Sequence, residues 1–199
     1  MSHIEVLESE LRNFQIDLPI AEKLTLSRYC DELVHWNRTI NLTGLNGRDM
    51  VRRLVVEPVW IGLQLKPEGV LADIGSGNGS PAIPLHLVSK FRKAHLIEAR
   101  VRRAAFLRQL TTTLTLSDVI VHRARFEEVV SELEPVDWIS LQGVAFSGRL
   151  SASMQKVAAA TTTIVWITSP DARISFNPVR TLEVPFTGTK VFLFRLNLL

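Results

Sequence analysis

The run Val70-Leu71-Ala72-Asp73-Ile74-Gly75-Ser76-Gly77-Asn78-Gly79 carries an apolar strand signal straight into three alternate glycines headed by an aspartate. Glycine reaches positive φ without steric cost and leaves no Cβ in the path, so backbone amides can close on a ligand where a strand hands over to a helix. A dinucleotide-binding turn, G-x-G-x-x-G, would carry its third glycine one place later. The spacing therefore calls for a nucleotide-like ligand of another kind; the alternative is an ordinary tight strand-to-helix turn.

The chain around this turn has 199 residues, 46% of them hydrophobic, enough for one α/β domain with a small appendage. Cys30 is its one cysteine, which excludes an internal disulfide, gives no metal cluster and fits a reducing compartment. It reads as a small buried apolar residue. The five histidines show no metal-ligand spacing, so no metal is expected. Met1-Ser2-His3-Ile4-Glu5 has no basic region followed by an apolar run, and no stretch reaches the roughly 18 apolar residues of a membrane span. A soluble cytoplasmic protein is the expectation.

A formal charge of +3 says little by itself, but it is unevenly spread. Residues 1–60 hold seven Lys/Arg against nine Asp/Glu, whereas residues 86–130 hold nine against four. Positive charge thus gathers beside the glycine turn, as an RNA-binding face or as a solvated helix surface.

Leu26, Tyr29, Cys30, Leu33, Trp36 and Ile40 recur at three- and four-residue intervals, which predicts an amphipathic helix ending near Asn41, with a short helix before it. Asp49 can cap a further helix through Val51, Leu54, Val55 and Val59, which Pro58 bends or ends. From Val70 short apolar runs alternate with helical segments, the signature of βα units around a mostly parallel sheet. Strands are predicted near 70–74, 94–98, 118–122, 136–141, 162–167, 180–185 and 190–196, and helices near 81–90, 101–114, 124–132 and 148–159. Phe192, Phe194 and Leu196 alternate with Leu193, Arg195 and Asn197, so the last segment suits an antiparallel edge strand. The expected fold is α/β and Rossmann-like, divided into an N-terminal helical extension, 1–64, packed on a core domain, 65–199.

Glu98 closes the second strand nineteen residues after Gly79, about where an acidic residue reaches the ribose hydroxyls in nucleotide-binding βαβ units. A carboxylate can accept from both hydroxyls at once. Asp73 sits under the glycines, either taking hydrogen bonds from loop amides, reaching a ligand through water, or capping the turn. The helix from Arg100 buries Val101, Ala105 and Leu107 or its neighbours while projecting Arg102, Arg103 and Arg108. Arg125-Phe126-Glu127-Glu128 follows the third strand at the carboxyl edge of the sheet, where an apolar side chain can cover a base while Glu127 or a backbone amide meets its polar edge. Glu127 and Glu128 are equally good first-turn helix residues.

The form D-x-G-x-G-x-G is similar to the glycine loop of class I methyltransferases that use S-adenosyl-L-methionine. Over residues 25–145 the chain resembles the bacterial small-subunit ribosomal RNA guanine-N7 methyltransferases, also called glucose-inhibited division protein B. The resemblance rests on Trp36-Asn37 with Asn41-Leu42-Thr43, on Asp73 to Pro81 with Ile83-Pro84-Leu85, on Leu96-Ile97-Glu98 with Ala104-Ala105-Phe106-Leu107, and on Arg125 to Glu128. It implies a class I fold, S-adenosylmethionine as cofactor, and ribosomal RNA or the small ribosomal subunit as partner of a monomer. The family's cofactor contacts fall on Gly75, Ser80, Phe126, Glu127 and Gln142, beside Asp73, Gly77, Gly79 and Glu98 from the residue pattern. Arg102, Arg103, Arg108 and Arg125 become candidate RNA contacts.

Several positions depart from the family pattern. Ser80 stands where a bulkier apolar residue is usual, Gln142-Gly143 where the family has Arg-Ala, and Thr168-Ser169 where it has Lys-Gly. The family's Arg-His is here Arg52-Arg53, and its Pro-Gly after the glycine loop is Pro81-Ala82. Guanine N7 already exposes a lone pair, so methyl transfer there needs alignment and no strong base; no catalytic residue is assigned. A divergent methyltransferase acting on another RNA or a small molecule, and a non-catalytic RNA-binding relative, remain as alternatives.

Overall fold

The computed structural model describes residues 2–145, 147–172 and 177–196. Four helical segments come first: α1, His3–Asn13; α2, Ile20–Asn37; α3, Gly47–Val51; and α4, Glu57–Leu65, joined to α3 by a π-helical turn over Arg52–Val56. The α/β part then runs β1 (Glu68–Ile74), α5 (Ala82–Leu87), β2 (Lys90–Ile97), α6 (Val101–Thr113), β3 (Val119–His122), α7 (Phe126–Val129), β4 (Val136–Gln142), α8 (Gly148–Val157), β5 (Ala158–Thr168), β6 (Arg180–Glu183) and β7 (Lys190–Arg195). The strands form one sheet in the order β3-β2-β1-β4-β5-β7-β6. Strands β1 to β5 run parallel to one another, and β7 is antiparallel to both β5 and β6. This is the expected mostly parallel α/β sheet.

Several boundaries differ from expectation for identifiable reasons. Helix α2 ends at Asn37, short of Asn41, because the Asn37 side chain turns into the following loop: its Oδ1 accepts from the amides of Leu42 (2.8 Å) and Thr43 (3.0 Å), and its Nδ2 donates to the Thr43 carbonyl (2.9 Å). Helix α3 starts at Gly47, ahead of Asp49, and Pro58 does not end the helical run. The wide turn at Arg52–Val56 lies directly ahead of that proline, where the missing N–H and the ring would otherwise disturb an α-helical ladder. Helix α5 is short because the β1 ladder claims Lys90 already, opposite Glu68, with the Lys90 amide on the Pro67 carbonyl at 3.0 Å. In α6 the buried stripe is Ala104, Phe106, Leu107 and Leu110, while Val101 is 62% exposed and Ala105 is also exposed. Strand β7 lies inside the sheet with β6 at the edge, which fits its buried Val191 to Phe194; Asn197 lies outside the described residues.

The two sheet faces bury separate clusters. Leu71, Ala94 and Leu96 point into one with Leu7, Leu26, Tyr29, Leu33 and Phe106, so α1, α2 and α6 share a core with the strands. Val70, Ala72 and Ile74 point the other way, against Phe126, Leu150 and Met154 of α7 and α8. Two carboxylates lie deep in the helical part, Glu10 in α1 and Glu57 in α4. Glu10 of α1 is fully buried between Arg48 and Arg52, each at 2.6 Å. Burial opposes its ionisation, but the two guanidiniums outweigh that and hold its carboxyl below the ordinary carboxylate range. Its contribution to stability is therefore present above the ordinary pKa and lost as pH falls through the depressed one. Glu10→Ala should cost about 3 kcal/mol or more in urea unfolding at pH 7 by leaving two cations facing a void, and the penalty should shrink on acidification; a cost equal at pH 7 and pH 3 contradicts the pairing.

Candidate functional site

Strand order reverses at β1, whose neighbours β2 and β4 lead off in opposite directions, so a crevice opens beyond the carboxyl ends of these strands. The glycine loop lies there. The amides of Gly75 and Ser76 both donate to the Ile97 carbonyl of β2, at 2.9 and 3.1 Å, and the Gly79 amide turns back on Ser76 at 2.6 Å. Gly75 has φ +77°, and a Cβ there would sit 2.8 Å from Val144 Cγ2, across the mouth of the crevice. Gly79 answers a different need: its Cβ would lie 3.1 Å from Ile83 and 3.4 Å from Leu107 and Leu110, so a bare backbone is what lets α5 and α6 pack under the loop.

Glu98, 6% exposed, holds the loop from the β2 side. One carboxylate oxygen accepts from the Gly77 amide at 3.0 Å and the other from the Arg100 amide at 2.7 Å. Each oxygen keeps a second lone pair. From the other face Tyr29, wholly buried in α2, donates its hydroxyl to the Asn78 carbonyl at 3.0 Å. The Asn78 side chain reaches the Leu42 carbonyl at 3.4 Å and takes the Ser80 amide at 3.0 Å. The loop that Asn37 ties down thus becomes a wall of the crevice.

Two cavities meet here and share Gly75, Glu98, Arg100 and Val144. The first, about 400 Å³, has apolar walls of Ile74, Ile97, Phe126 and Leu150, with Glu127 and Arg125 at its rim. It suits a flat apolar ring with a polar edge. The second, about 430 Å³, is lined by Ser76, Gly77, Asn78, Ser80, Arg103 and Gln142 against Leu42 and Leu54. It suits a polar, charged tail and a second reactant.

Of the readings open for Asp73, the structure excludes the hydrogen bonds from loop amides: the carboxylate takes none of them, because those amides go to Ile97, Glu98 and Ser76 instead. Its Oδ1 accepts the Ser140 hydroxyl from β4 at 2.5 Å, while Oδ2 is buried with no partner among the described residues. Burial pushes its pKa up to about 6, helped by the charge of Glu98 and opposed by the Ser140 and Ser76 hydroxyls.

The candidate cofactor residues Gly75, Gly77, Ser80, Glu98, Phe126, Glu127 and Gln142 all line the paired cavities, whereas Asp73 and Gly79 support them from beneath. The arginines do not form one surface. Arg102 and Arg103 flank a groove with Thr39 to Asn41, Arg125 edges the first cavity, and Arg108 lines neither these nor the second cavity. Tyr29, Leu42, Leu54, Arg100, Ser140 and Val144 belong to the site although residue patterns did not nominate them. Only Ser140 had a legible signal, a lone hydroxyl inside the apolar run Trp138 to Leu141. Among the described residues no group of three or more metal-binding side chains occurs.

The fold is that of class I methyltransferases. A methyltransferase from Aquifex aeolicus described as dependent on S-adenosylmethionine superposes with a TM-score of 0.56, covering 70% of this chain and 88% of its own at 14% identity. The C-terminal domain of precorrin-6Y C5,15-methyltransferase from Rhodobacter capsulatus gives 0.53, covering 77% and 92% at 16% identity. The chain belongs to the GidB family, rRNA small subunit methyltransferase G, whose family model matches residues 22–178. Proteins of that name from Chloroflexus aggregans and Halorhodospira halophila are 35% and 36% identical over 136 and 122 residues, which cover 64% and 61% of this chain and only 57% and 58% of theirs. The Helicobacter pylori protein is 34% identical over 131 residues, 66% of this chain and 73% of its own.

The ionised Asp73 is the costly form in the folded protein. Its raised pKa means that the stability contributed by the neutral acid is fully present below the ordinary pKa and lost as pH rises through about 6. Asp73→Asn, which can still accept from Ser140, should therefore gain stability relative to wild type between pH 5 and pH 8, by about 1.4 kcal/mol. Urea unfolding at the two pH values checks this, and a constant difference would mean that Asp73 does not titrate in that range.

Proposed function

We propose that the protein is an S-adenosylmethionine-dependent methyltransferase that methylates N7 of a guanine in small-subunit ribosomal RNA. The observation that carries the reading is Glu98: a carboxylate fixed by two backbone amides, with lone pairs free where an apolar cavity joins a polar one. Membership of the GidB family supplies the substrate class. The same reading makes the protein a cytoplasmic monomer that meets the small subunit or its RNA; no helix among the described residues is long and apolar enough to cross a membrane.

The donor set suits this cofactor on independent grounds. The bare backbone at Gly75 keeps the junction of the cavities open, and the buried, unpaired oxygens of Asp73 and Ser80 favour a cationic, hydrogen-bond-rich tail nearby. Glu98 would accept from the ribose hydroxyls, Phe126 and Glu127 would hold the adenine, and Ser80 and Gln142 would face the aminoacid and sulfonium end. The bound cofactor supplies an electrophilic methyl group on sulfur. This chain's own task is then alignment: Leu42, Leu54 and Gln142 shape the space in which the base approaches, and the walls shed the water around the reacting atoms. Guanine N7 has a free lone pair, so no residue need remove a proton before transfer.

Calorimetric titration with S-adenosylmethionine tests the first half. Wild type should bind, and Glu98→Gln, which loses the charge and turns an NH₂ toward an N–H donor, should bind about 10- to 100-fold more weakly. Absence of binding by wild type sinks the cofactor assignment; binding within about twofold by Glu98→Gln sinks the ribose role alone. Incubation with labelled cofactor and either small subunits or stripped RNA, followed by mapping of the labelled base, tests the second half. Label on another acceptor favours a divergent substrate, for which the uncharged Gln142 in the second cavity is the specific motive.

A further inference from the structure

A third cavity, about 600 Å³, opens beside the second one and shares Arg100 and Arg103 with it. One wall is the start of α6, Ala99 to Arg103; the other is Thr39 to Asn41, from the loop that Asn37 ties down. The walls are sewn together by Arg103, whose Nη2 donates to the Asn41 carbonyl at 2.8 Å. No carboxylate lines the groove, and among the described residues Arg100, Arg102 and Arg103 make no ion pair. The Arg100 amide at the start of α6 is taken by Glu98, while the first-turn amides that follow have no partner within the helix.

The geometry points to this groove as the track for the phosphodiester backbone of a single RNA strand next to the target base, with Arg102 on its outer rim and Arg103 at the passage into the cleft. The inference rests on the methyltransferase reading above and specifies how the substrate lies. Arginine forks match phosphate oxygens in pairs, and a groove of one sign beside a reaction chamber fixes the register of a strand without reading its sequence. Arg108, which does not line the groove, and Arg125, in the first cavity, lie off this path.

The test uses the full chain and a labelled single-stranded RNA of about ten nucleotides carrying one guanine, with fluorescence anisotropy at several salt concentrations. Arg102→Gln should weaken binding about tenfold and flatten the salt dependence by about 0.7 in log–log slope, the loss of one single-strand phosphate contact. Thr39→Glu, exposed on the opposite wall and about 60 positions away in sequence, should weaken it at least as much. Arg108→Gln should stay within about twofold of wild type. All three variants should bind S-adenosylmethionine like wild type, which reports an intact cleft. If wild type binds RNA but Arg108→Gln costs as much as Arg102→Gln, or Thr39→Glu is silent, the groove is overturned while the RNA substrate stands. If wild type binds cofactor and no RNA, the RNA reading itself falls, and the groove with it.

Discussion

The cleft depends on one carboxylate held at both ends. Glu98 takes the Gly77 amide from the glycine loop and the Arg100 amide from the start of α6, so one side chain sets the distance between the two segments that bracket the crevice. The Ile97 carbonyl just before it takes two further loop amides. With β2 as the anchor, the loop has little freedom left, and its positive φ angles are conformations that glycine adopts without strain. A ligand entering here meets donors and acceptors already in position, so little ordering cost is charged to binding.

The N-terminal helices are part of this arrangement. Tyr29 reaches from α2 to the Asn78 carbonyl, and Asn37 folds the Asn41-Leu42-Thr43 loop so that Leu42 and Asn41 face the cleft. The Trp36 ring meets Phe106 of α6 edge-on at 5.8 Å, which fixes α2 against the same helix that carries the arginines. One apolar cluster contains both these helices and the strands, so displacement of α2 would disturb the loop that lines the second cavity. The resemblance between this chain and its relatives at Trp36-Asn37 and Asn41-Leu42-Thr43 thus has a physical content: these residues build a wall.

The strands and the glycine loop were legible because they depend on local signals, apolar runs bounded by turn residues and glycines at fixed spacing. Boundaries were less legible where a partner decides them. The end of α2 is set by a side chain folding onto residues not yet met along the chain, and the start of β2 by pairing with β1. The inner position of β7 follows from a sheet order that alternation along one strand does not contain. In the site, Glu98 was legible as the residue closing the second strand and Phe126-Glu127 as residues following the third, whereas Gln142 came only with the family resemblance. Tyr29 and Leu54 were not, since an apolar-stripe position and a helical leucine look alike whether or not a cleft lies beyond them. The arginines, one charge run in sequence, are distributed by the fold: Arg102 and Arg103 line the groove, Arg125 lines the first cavity, and Arg108 lines neither.

Ser80 and Gln142, the two positions where the resemblance implies a departure from the family pattern, are far apart in sequence yet line one cavity. A serine in place of a bulkier apolar residue adds room and a hydroxyl, and a glutamine in place of an arginine removes a positive charge while keeping donors at a similar reach. A substrate anion near Gln142 would therefore lose attraction, and a cationic sulfonium would lose repulsion. Arg100 and Arg103 enter the same cavity from the α6 side and also line the groove, so the positive charge in this cavity comes from α6 and not from the β4 floor. Under the proposed reading this shifts the work of holding RNA away from the reacting centre and onto the flanking strand. The floor is left to position a neutral base by hydrogen bonds and shape. Under that reading the groove, and not residue 142, would carry most of the substrate affinity.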